Sequence, residues 1–150
     1  MDRLAVSLPP VWVDTAEEVE DMISQVQQQL DKLELVKNKR FKPKFDKNED
    51  DALDSEIQVL RHSIYSNLKW CEMKLKQARE QMALSEDPAQ ETITQNVQQA
   101  YLVKLQDAAK RLRQIERDHV ERIGKLYGVE GEIQLPPSEL DGEYSDQATK

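Results

Sequence analysis

The feature that most constrains the fold of this chain is a run of apolar residues, three or four positions apart, between residues 53 and 82. Its members are Leu53, Ile57, Leu60, Ile64, Leu68, Cys71, Leu75, Ala78 and Met82. An α-helix has 3.6 residues per turn, so this spacing places all of them on one face of a single helix. Such a face is stable when it is buried against other helices, and the run therefore predicts a helical core.

Glycine and proline, the residues that interrupt helices, divide the chain into three stretches. The four glycines all lie at Gly124 or later, and the six prolines are at positions 9, 10, 43, 88, 136 and 137. The intervening stretches predict helices at about residues 15–40, 50–84 and 88–127. A short link with Asp87 as N-cap joins the second helix to the third, so these two must be antiparallel neighbours.

The first and third predicted helices have apolar faces of their own. The face on the first helix consists of Val19, Met22, Ile23, Val26, Leu30, Leu33 and Val36. The face on the third helix consists of Val97, Tyr101, Leu105, Ala108, Leu112, Ile115 and His119. Together the three faces predict an all-α fold, an antiparallel up-down-up three-helix bundle with left-handed, coiled-coil-like packing.

The bundle is predicted to occupy residues 14–128, after an N-terminal extension of residues 1–13. Asp14 or Thr15 is the expected N-cap of the first helix. In residues 129–150, six acidic residues stand against a single lysine. This segment has too little apolar surface to form a core, which predicts a disordered acidic linker.

Charge and composition exclude several classes of function. The net charge is −8, which argues against nucleic acid as a partner, because nucleic acid binding requires Lys and Arg to neutralise phosphates. No apolar run approaches the roughly 20 residues needed to cross a bilayer. Cys71 is the one cysteine, so no internal disulfide can form, and a cytosolic location is the default expectation.

No catalytic, metal or cofactor site is predicted, and an enzyme is not expected. There is no glycine-rich phosphate loop. Glu116 and His119 have the spacing found in di-iron bundles, but such a site needs a second Glu-x-x-His pair, and Val59 stands three residues before His62. Cys71 is interpreted as a core residue and not as a reactive thiol, because it lies on the apolar face of its helix.

The link between the first two helices, residues 37–51, changes from basic to acidic and contains Pro43. Its basic residues are Lys37, Lys39, Arg40, Lys42, Lys44 and Lys47. Such a run is either simply solvated or in contact with anionic lipid, to which each charge contributes about 1 kcal/mol. Phe41 and Phe45 are expected to anchor this link to the bundle.

A second face of the third helix is half apolar and half polar. It consists of Leu102, Gln106, Ala109, Arg113, Glu116, Val120 and Ile123. An amphipathic partner helix is its expected occupant, because that helix would bury the aliphatic residues and leave the charges at the rim. Trp70 and Met73 of the second helix are predicted to lie opposite this face and complete the groove. Alternatively, Trp70 packs onto the first helix.

Three segments resemble the syntaxins, the Qa-SNAREs of membrane fusion. In the third helix the match consists of Asn96, Gln98, Ala100, Lys104, Leu105, Gln106, Asp107, Arg113, Val120, Arg122 and Ile123. This segment is similar to the third helix of the N-terminal three-helix (Habc) domain, although Leu112, Glu116 and His119 replace the family's aromatic, Gln and Tyr. The sequence LPPVWVD at residues 8–14 and the segment 64–75 resemble the trans-Golgi network and endosomal branch.

The resemblance implies a regulatory module of a t-SNARE. Its expected partners are the protein's own SNARE motif, which would follow the acidic linker, an SM-family (Sec/Munc-type) protein, and other SNAREs through that motif. The bundle would fold back on the SNARE helix and gate assembly of the fusion complex. The expected location is the cytosolic face of trans-Golgi network and endosomal membranes. A short N-terminal peptide that an SM protein recognises would precede Met1.

A structural scaffold such as a spectrin-like repeat is the alternative, since it would use the same apolar faces. A spectrin-like unit runs helix into helix at both ends and has no polar tail. The segment 8–14 and the acidic residues after position 129 therefore favour the gating module.

Overall fold

The protein is an all-α three-helix bundle, as the sequence predicts. The computed structural model describes residues 10–44, 46–83 and 88–126. They form the helices α1 (Pro10–Arg40), α2 (Lys47–Met82) and α3 (Pro88–Leu126), which have 31, 36 and 39 residues. All three helices contribute to one hydrophobic core.

Polar contacts between the helices define their directions. Between α1 and α2 the contacts join Glu18 to Lys74, Gln29 to Ser63 and Arg40 to Asp54, so residue numbers rise on one helix as they fall on the other. Between α1 and α3 the contacts join Glu20 to Lys104, Asp31 to Arg111 and Asn38 to Arg122, so the numbers rise together. Helix α2 is therefore antiparallel to α1, and α3 is parallel to α1, which is the up-down-up arrangement.

The predicted apolar faces form the core. Its largest fully buried side chains on these faces are Leu30, Leu33, Ile64, Leu68, Leu75, Leu105 and Leu112. Each aliphatic side chain of this size contributes about 1.5 to 3 kcal/mol when it is fully buried. The predicted members Met22, Leu53, Met82, Val97 and Tyr101 are only partly buried and pack against the edge of the core.

Helix α1 begins earlier than predicted. It starts at Pro10, so Asp14 and Thr15 lie inside the helix and neither is its N-cap. Proline is well tolerated in the first turn of a helix, where its missing N–H would have no partner. Trp12 is 0% exposed and precedes Val19 on the same face. Burial of this large ring therefore favours the extra turn, and the predicted extension of residues 1–13 is partly helical.

Helix α2 also begins earlier than predicted, at Lys47. Asp46 is its N-cap, and the Asp46 side chain accepts a hydrogen bond from the backbone N–H of Asn48 at 2.9 Å. Glu49 and Asp50 follow in the first turn, where negative charge is favourable near the positive end of the helix dipole. Cap and dipole together stabilise a start that the apolar spacing alone does not indicate.

Several predictions concern residues outside the described ranges. They are the N-cap Asp87, the anchoring residue Phe45 and the disordered linker of residues 129–150. Helix α3 is described from Pro88 to Leu126, close to the predicted range.

Candidate functional site

The second face of α3 packs against α2. Within this face Ala109 is 5% exposed and Glu116 is 8% exposed, so both are buried in the bundle itself. The other predicted groove residues, Leu102, Gln106, Arg113 and Val120, are half-buried. The expectation of an open face for a partner is thus corrected, because Ala109 and Glu116 form the floor of the contact between α2 and α3.

A charged hydrogen bond crosses this contact. The Nε of Arg61 on α2 donates to Oε1 of Glu116 on α3 at 2.5 Å. The Arg61 guanidinium also lies 5.3 Å from the centroid of the Tyr65 ring. A buried carboxylate requires a partner of this kind, since leaving it unpaired would cost several kcal/mol. The pair therefore fixes the position of α3 along α2.

Trp70 lies on the α1 side of α2, away from the α3 face. Its ring is 5.3 Å from the Nζ of Lys74, and Lys74 forms an ion pair with Glu18 of α1 at 3.3 Å. Trp70 is partly buried against the core. Of the two predicted placements of Trp70, the structure therefore has the one beside the first helix.

Met73 points outward and does not reach α3. It is 46% exposed. At about 100° per residue, Met73 is rotated about 120° around α2 from Arg61, the residue that contacts α3, and about 100° from Lys74, which contacts α1. The structure thus does not bring Trp70 and Met73 together with the predicted residues of α3.

The side of α3 that faces α2 is apolar at its centre and mixed in polarity at its edge. Ala109 is buried there, and the half-buried Leu102 and Val120 lie on the same side of α3, before and after it. Further burial of these two aliphatic side chains would add about 25 cal/mol for each Å² removed from water. A helix with one apolar face matches this surface, because its polar residues would stay beside Gln106 and Arg113.

A second polar centre lies where α1 ends. Lys37 of α1 is only 6% exposed. Burial lowers the pKa of Lys37, the nearby Glu116 carboxylate partly offsets this effect, and Arg61 lowers the pKa further. Each helix thus contributes one charged residue to a cluster in which Lys37 and Glu116 are buried and Arg61 is partly exposed. We call Lys37, Arg61 and Glu116 the charged cluster.

His119 lies beside this cluster and contacts Phe41. The two ring centroids are 5.1 Å apart, and the guanidinium of Arg122 lies 4.1 Å from the centroid of Phe41. Phe41 is therefore anchored to the bundle as predicted. Burial, and then the charge of Lys37, lower the pKa of His119 to about 4, so the ring is neutral at pH 7. Its Nδ1 atom is buried without a hydrogen-bond partner among the described residues.

Half of the residues in the basic run, which begins in the last turn of α1, are buried or form ion pairs within the protein. Lys37 is buried, Arg40 pairs with Asp50 at 3.2 Å and with Asp54 at 2.9 Å, and Lys44 pairs with Asp50 at 2.8 Å. These ion pairs tie the link to the first turns of α2. Contact of the run with anionic lipid stays a prediction, and Lys39, Lys42 and Lys47 are the residues that remain exposed for it.

Cys71 is a core residue, as predicted. It is fully buried, and burial raises the pKa of its thiol to about 12, so it is protonated at neutral pH. In the part of the chain that the structure describes, no group of His, Cys, Asp and Glu residues could hold a metal ion. No helix in the same ranges is both long and apolar enough to cross a membrane.

The buried residues that sequence reasoning missed include Trp12, Lys37 and Thr94. Trp12 could have been found, because Trp12, Thr15 and Val19 continue the spacing of the α1 face. Thr94 likewise precedes Val97 on α3 at helical spacing, but its hydroxyl does not signal burial. Lys37 follows Val36 in a basic run, and nothing in its local sequence distinguishes it from the exposed lysines beside it.

The chain is similar to syntaxin-42 of Arabidopsis thaliana, with 27% identity over 135 residues that cover 89% of this chain. It spans 40% of the length of that relative. No protein-family model and no solved structure matches the chain. The similarity confirms the resemblance to syntaxins found in the sequence, and the three-helix structure is consistent with the N-terminal Habc domain of a syntaxin.

Proposed function

We propose that this syntaxin homologue is the regulatory N-terminal domain of a t-SNARE that acts in vesicle fusion. In this proposal the bundle binds the SNARE helix of its own chain and thereby gates assembly of the SNARE complex. The relative syntaxin-42 is longer than this chain, and the proposal assigns the SNARE helix to the part of such a protein that follows the acidic linker.

The apolar side chains on the side of α3 that faces α2 are the observation that carries this proposal. Ala109 is buried there, and Leu102 and Val120 remain half-buried. A SNARE helix with an apolar face would bury Leu102 and Val120 further if it lay along α2 and α3. While it lies there, the same apolar face is withheld from the other SNAREs, so assembly has to wait until the bundle releases it.

An SM-family protein is the second proposed partner, and it would bias the balance between the closed and open states. Other SNAREs would bind through the SNARE helix and not through the bundle. The resemblance of residues 8–14 and 64–75 to the trans-Golgi and endosomal branch supports action at the cytosolic face of those membranes.

The test is the rate of SNARE-complex assembly in a longer chain that contains the SNARE segment. Leu102→Glu and Val120→Glu place a charge where the helix would bury an apolar side chain. A loss of about 1 kcal/mol in closure would raise the assembly rate roughly fivefold. Val103→Glu is the matched control, because Val103 neighbours Leu102 but is an exposed residue.

Circular dichroism of each variant distinguishes release of the groove from loss of the bundle. The proposal requires that Leu102→Glu and Val120→Glu keep the helical content of the parent and assemble faster, while Val103→Glu assembles at the parent rate. Equal rates in all four proteins would contradict gating. Ala109 is unsuited to this test because it is buried in the bundle.

A further inference from the structure

A band of positive charge runs along one side of this acidic protein, where α2 and α3 meet. We call this side the α2–α3 face, and define it by the aliphatic residues Leu102 and Val120 together with the charged residues around them. The charged residues are Arg61, Lys69, Glu72, Lys76, Lys110, Arg113, Glu116 and Arg117. Six of these are basic and two are acidic, in a chain whose net charge is −8.

On α3, the basic residues of the face lie beside its aliphatic residues. At about 100° per residue, Leu102 and Val120 point in the same direction, and Arg113 is rotated only about 20° from them. Arg117 and Lys110 are rotated further in the same sense, by about 60° and about 80°. Arg113 is half-buried, whereas Arg117 and Lys110 are exposed. The outer edge of the face on α3 is therefore basic.

On α2, the basic residues are arranged in the same way. Arg61 bonds to Glu116 of α3, which fixes the direction from α2 to α3. Lys76 and Lys69 are rotated about 60° and about 80° from Arg61, in the sense opposite to the fully buried Ile64. Lys76 is exposed and Lys69 is half-buried. Basic residues therefore border the α2–α3 face on both helices.

The two acidic residues do not neutralise the exposed edges of the face. Glu116 is buried and already forms the ion pair between the two helices. Glu72 is half-buried and makes a contact of its own within the bundle. The exposed charges of the face are the cations of Lys76, Lys110 and Arg117, and none of these three forms an ion pair with a described residue.

We infer that the α2–α3 face selects an amphipathic helix whose apolar stripe is flanked by acidic residues. The stripe would bury Leu102 and Val120 further, and the carboxylates beside it would pair with the cations at both edges of the face. The net charge of −8 repels an acidic partner, so a preference for one has to come from the local charges of this face. The inference rests on the proposed function, since it specifies the chemistry of the helix that lies along α2 and α3.

A helix fits this face better than an anionic membrane does. Leu102 and Val120 are half-buried, so they do not project as the apolar residues of a membrane-bound helix do. A helix that lies between the two basic edges contacts both aliphatic side chains directly, and its diameter of about 10 Å places its flanks beside those edges.

Two designed peptides test the inference with the chain of residues 1–150. Both are amphipathic helices with the same leucine stripe, and the residues beside the stripe are Glu in one peptide and Lys in the other. One exposed ion pair changes an affinity by about 1.4- to 5-fold, so three exposed cations should favour the Glu peptide roughly tenfold at low salt. At about 1 M salt, where the Debye length is about 3 Å, the preference should largely disappear. NMR shifts of the Leu102 and Val120 amides measure both affinities at this face alone.

Charge variants identify the residues that select the helix. Lys110→Glu with Arg117→Glu should reverse the preference, so that the Lys peptide binds more tightly. Lys39→Glu with Lys42→Glu makes the same change at two exposed cations that lie on neither α2 nor α3, and it should leave the preference unchanged. All four residues are exposed, so circular dichroism of both variants should match the parent.

Equal affinities for the two peptides at low salt, or the same loss of preference in both variants, would overturn the inference. Binding of the chain to vesicles of phosphatidylcholine and phosphatidylserine would also overturn it if Lys110→Glu with Arg117→Glu abolished that binding, because the face would then receive a membrane. Failure of the proposed function shows separately, as an assembly rate that Leu102→Glu and Val120→Glu leave unchanged. If those variants raise the rate while the peptides bind alike, the helix is selected by its apolar stripe alone and only the inference falls.

Discussion

The two ends of the bundle are built on different principles. At one end, which we call the tryptophan end, Trp12 of α1 is fully buried, and the parallel course of α1 and α3 brings it level with Thr94. At the other end, the lysine end, Lys37 and Glu116 are buried, His119 is partly buried, and the more exposed Arg61 bonds to Glu116. One end is thus filled by a large ring, and the other by charges that must be matched.

This difference shows where the bundle gains stability and where it gains specificity. A buried aromatic ring stabilises any arrangement that covers it. The bond between Arg61 and Glu116 forms only when α2 and α3 have one relative position, because a displaced helix would leave a carboxylate buried and unpaired. We therefore expect side-chain truncations to lower the free energy of unfolding most at the tryptophan end. Changes of charge and of pH should act at the lysine end.

The largest effect is expected from Trp12→Ala, which should lower the free energy of unfolding by about 3 to 5 kcal/mol, because it leaves a cavity at the end of the core. Trp12→Phe is the matched control. The Nε1 atom of Trp12 has no hydrogen-bond partner among the described residues, so replacement by Phe loses no hydrogen bond. Trp12→Phe should therefore lower the free energy of unfolding much less than Trp12→Ala. Urea unfolding followed by circular dichroism measures both. A cost below about 1 kcal/mol for Trp12→Ala would mean that the ring is not a core residue.

Glu116→Gln should have a smaller effect and lower the free energy of unfolding by about 1.5 to 3 kcal/mol. This is the usual contribution of a hydrogen bond that involves charged groups. The variant keeps the shape of the side chain and removes the charge that faces both Arg61 and Lys37. Glu121→Gln makes the same change at an exposed position of α3 and should have almost no effect. Equal stability of the two variants in urea unfolding would show that the charged cluster does not hold α3 in place.

The smallest effect on the free energy of unfolding is expected from a decrease in pH. The pKa of His119 is lowered from 6.5 to about 4, so between these values the unfolded chain binds a proton that the folded chain does not. The free energy of unfolding should therefore be highest above pH 6.5 and fall as the pH decreases, by about 1 to 2 kcal/mol at pH 5. His119→Gln should remove this dependence, whereas the same change at the exposed His62 should preserve it. The proton dependence would have another source if both variants behaved like the parent.

The apolar spacing was sufficient to predict the bundle and most of its core. The faces of α1, α2 and α3 repeat every three or four residues over many turns, and such a pattern has few other ways to be buried. The beginnings of helices were less predictable. A proline can start a helix as well as end one, and the large ring of Trp12 decided in favour of the start at Pro10.

The surroundings of the candidate face on α3 were predicted only in part. The residues of α3 share one face, as their spacing indicates, but spacing does not say which neighbour that face meets. Arg61 decides this question through its bond to Glu116, and that contact spans residues far apart in the sequence. The placement of Trp70 beside α1 likewise follows from its contact with Lys74, which forms an ion pair with α1. Such contacts become visible only once the relative rotation of the helices is known.

The most direct test of the proposed function is an NMR titration of this bundle with a peptide of the SNARE helix that the proposal places after the acidic linker. If that helix binds along α2 and α3, the largest shifts should occur at the amides of Leu102, Ala109 and Val120. The exposed Leu35, which lies on α1, should be unaffected. Shifts confined to other faces, or no shifts when the peptide is in large excess, would contradict the account.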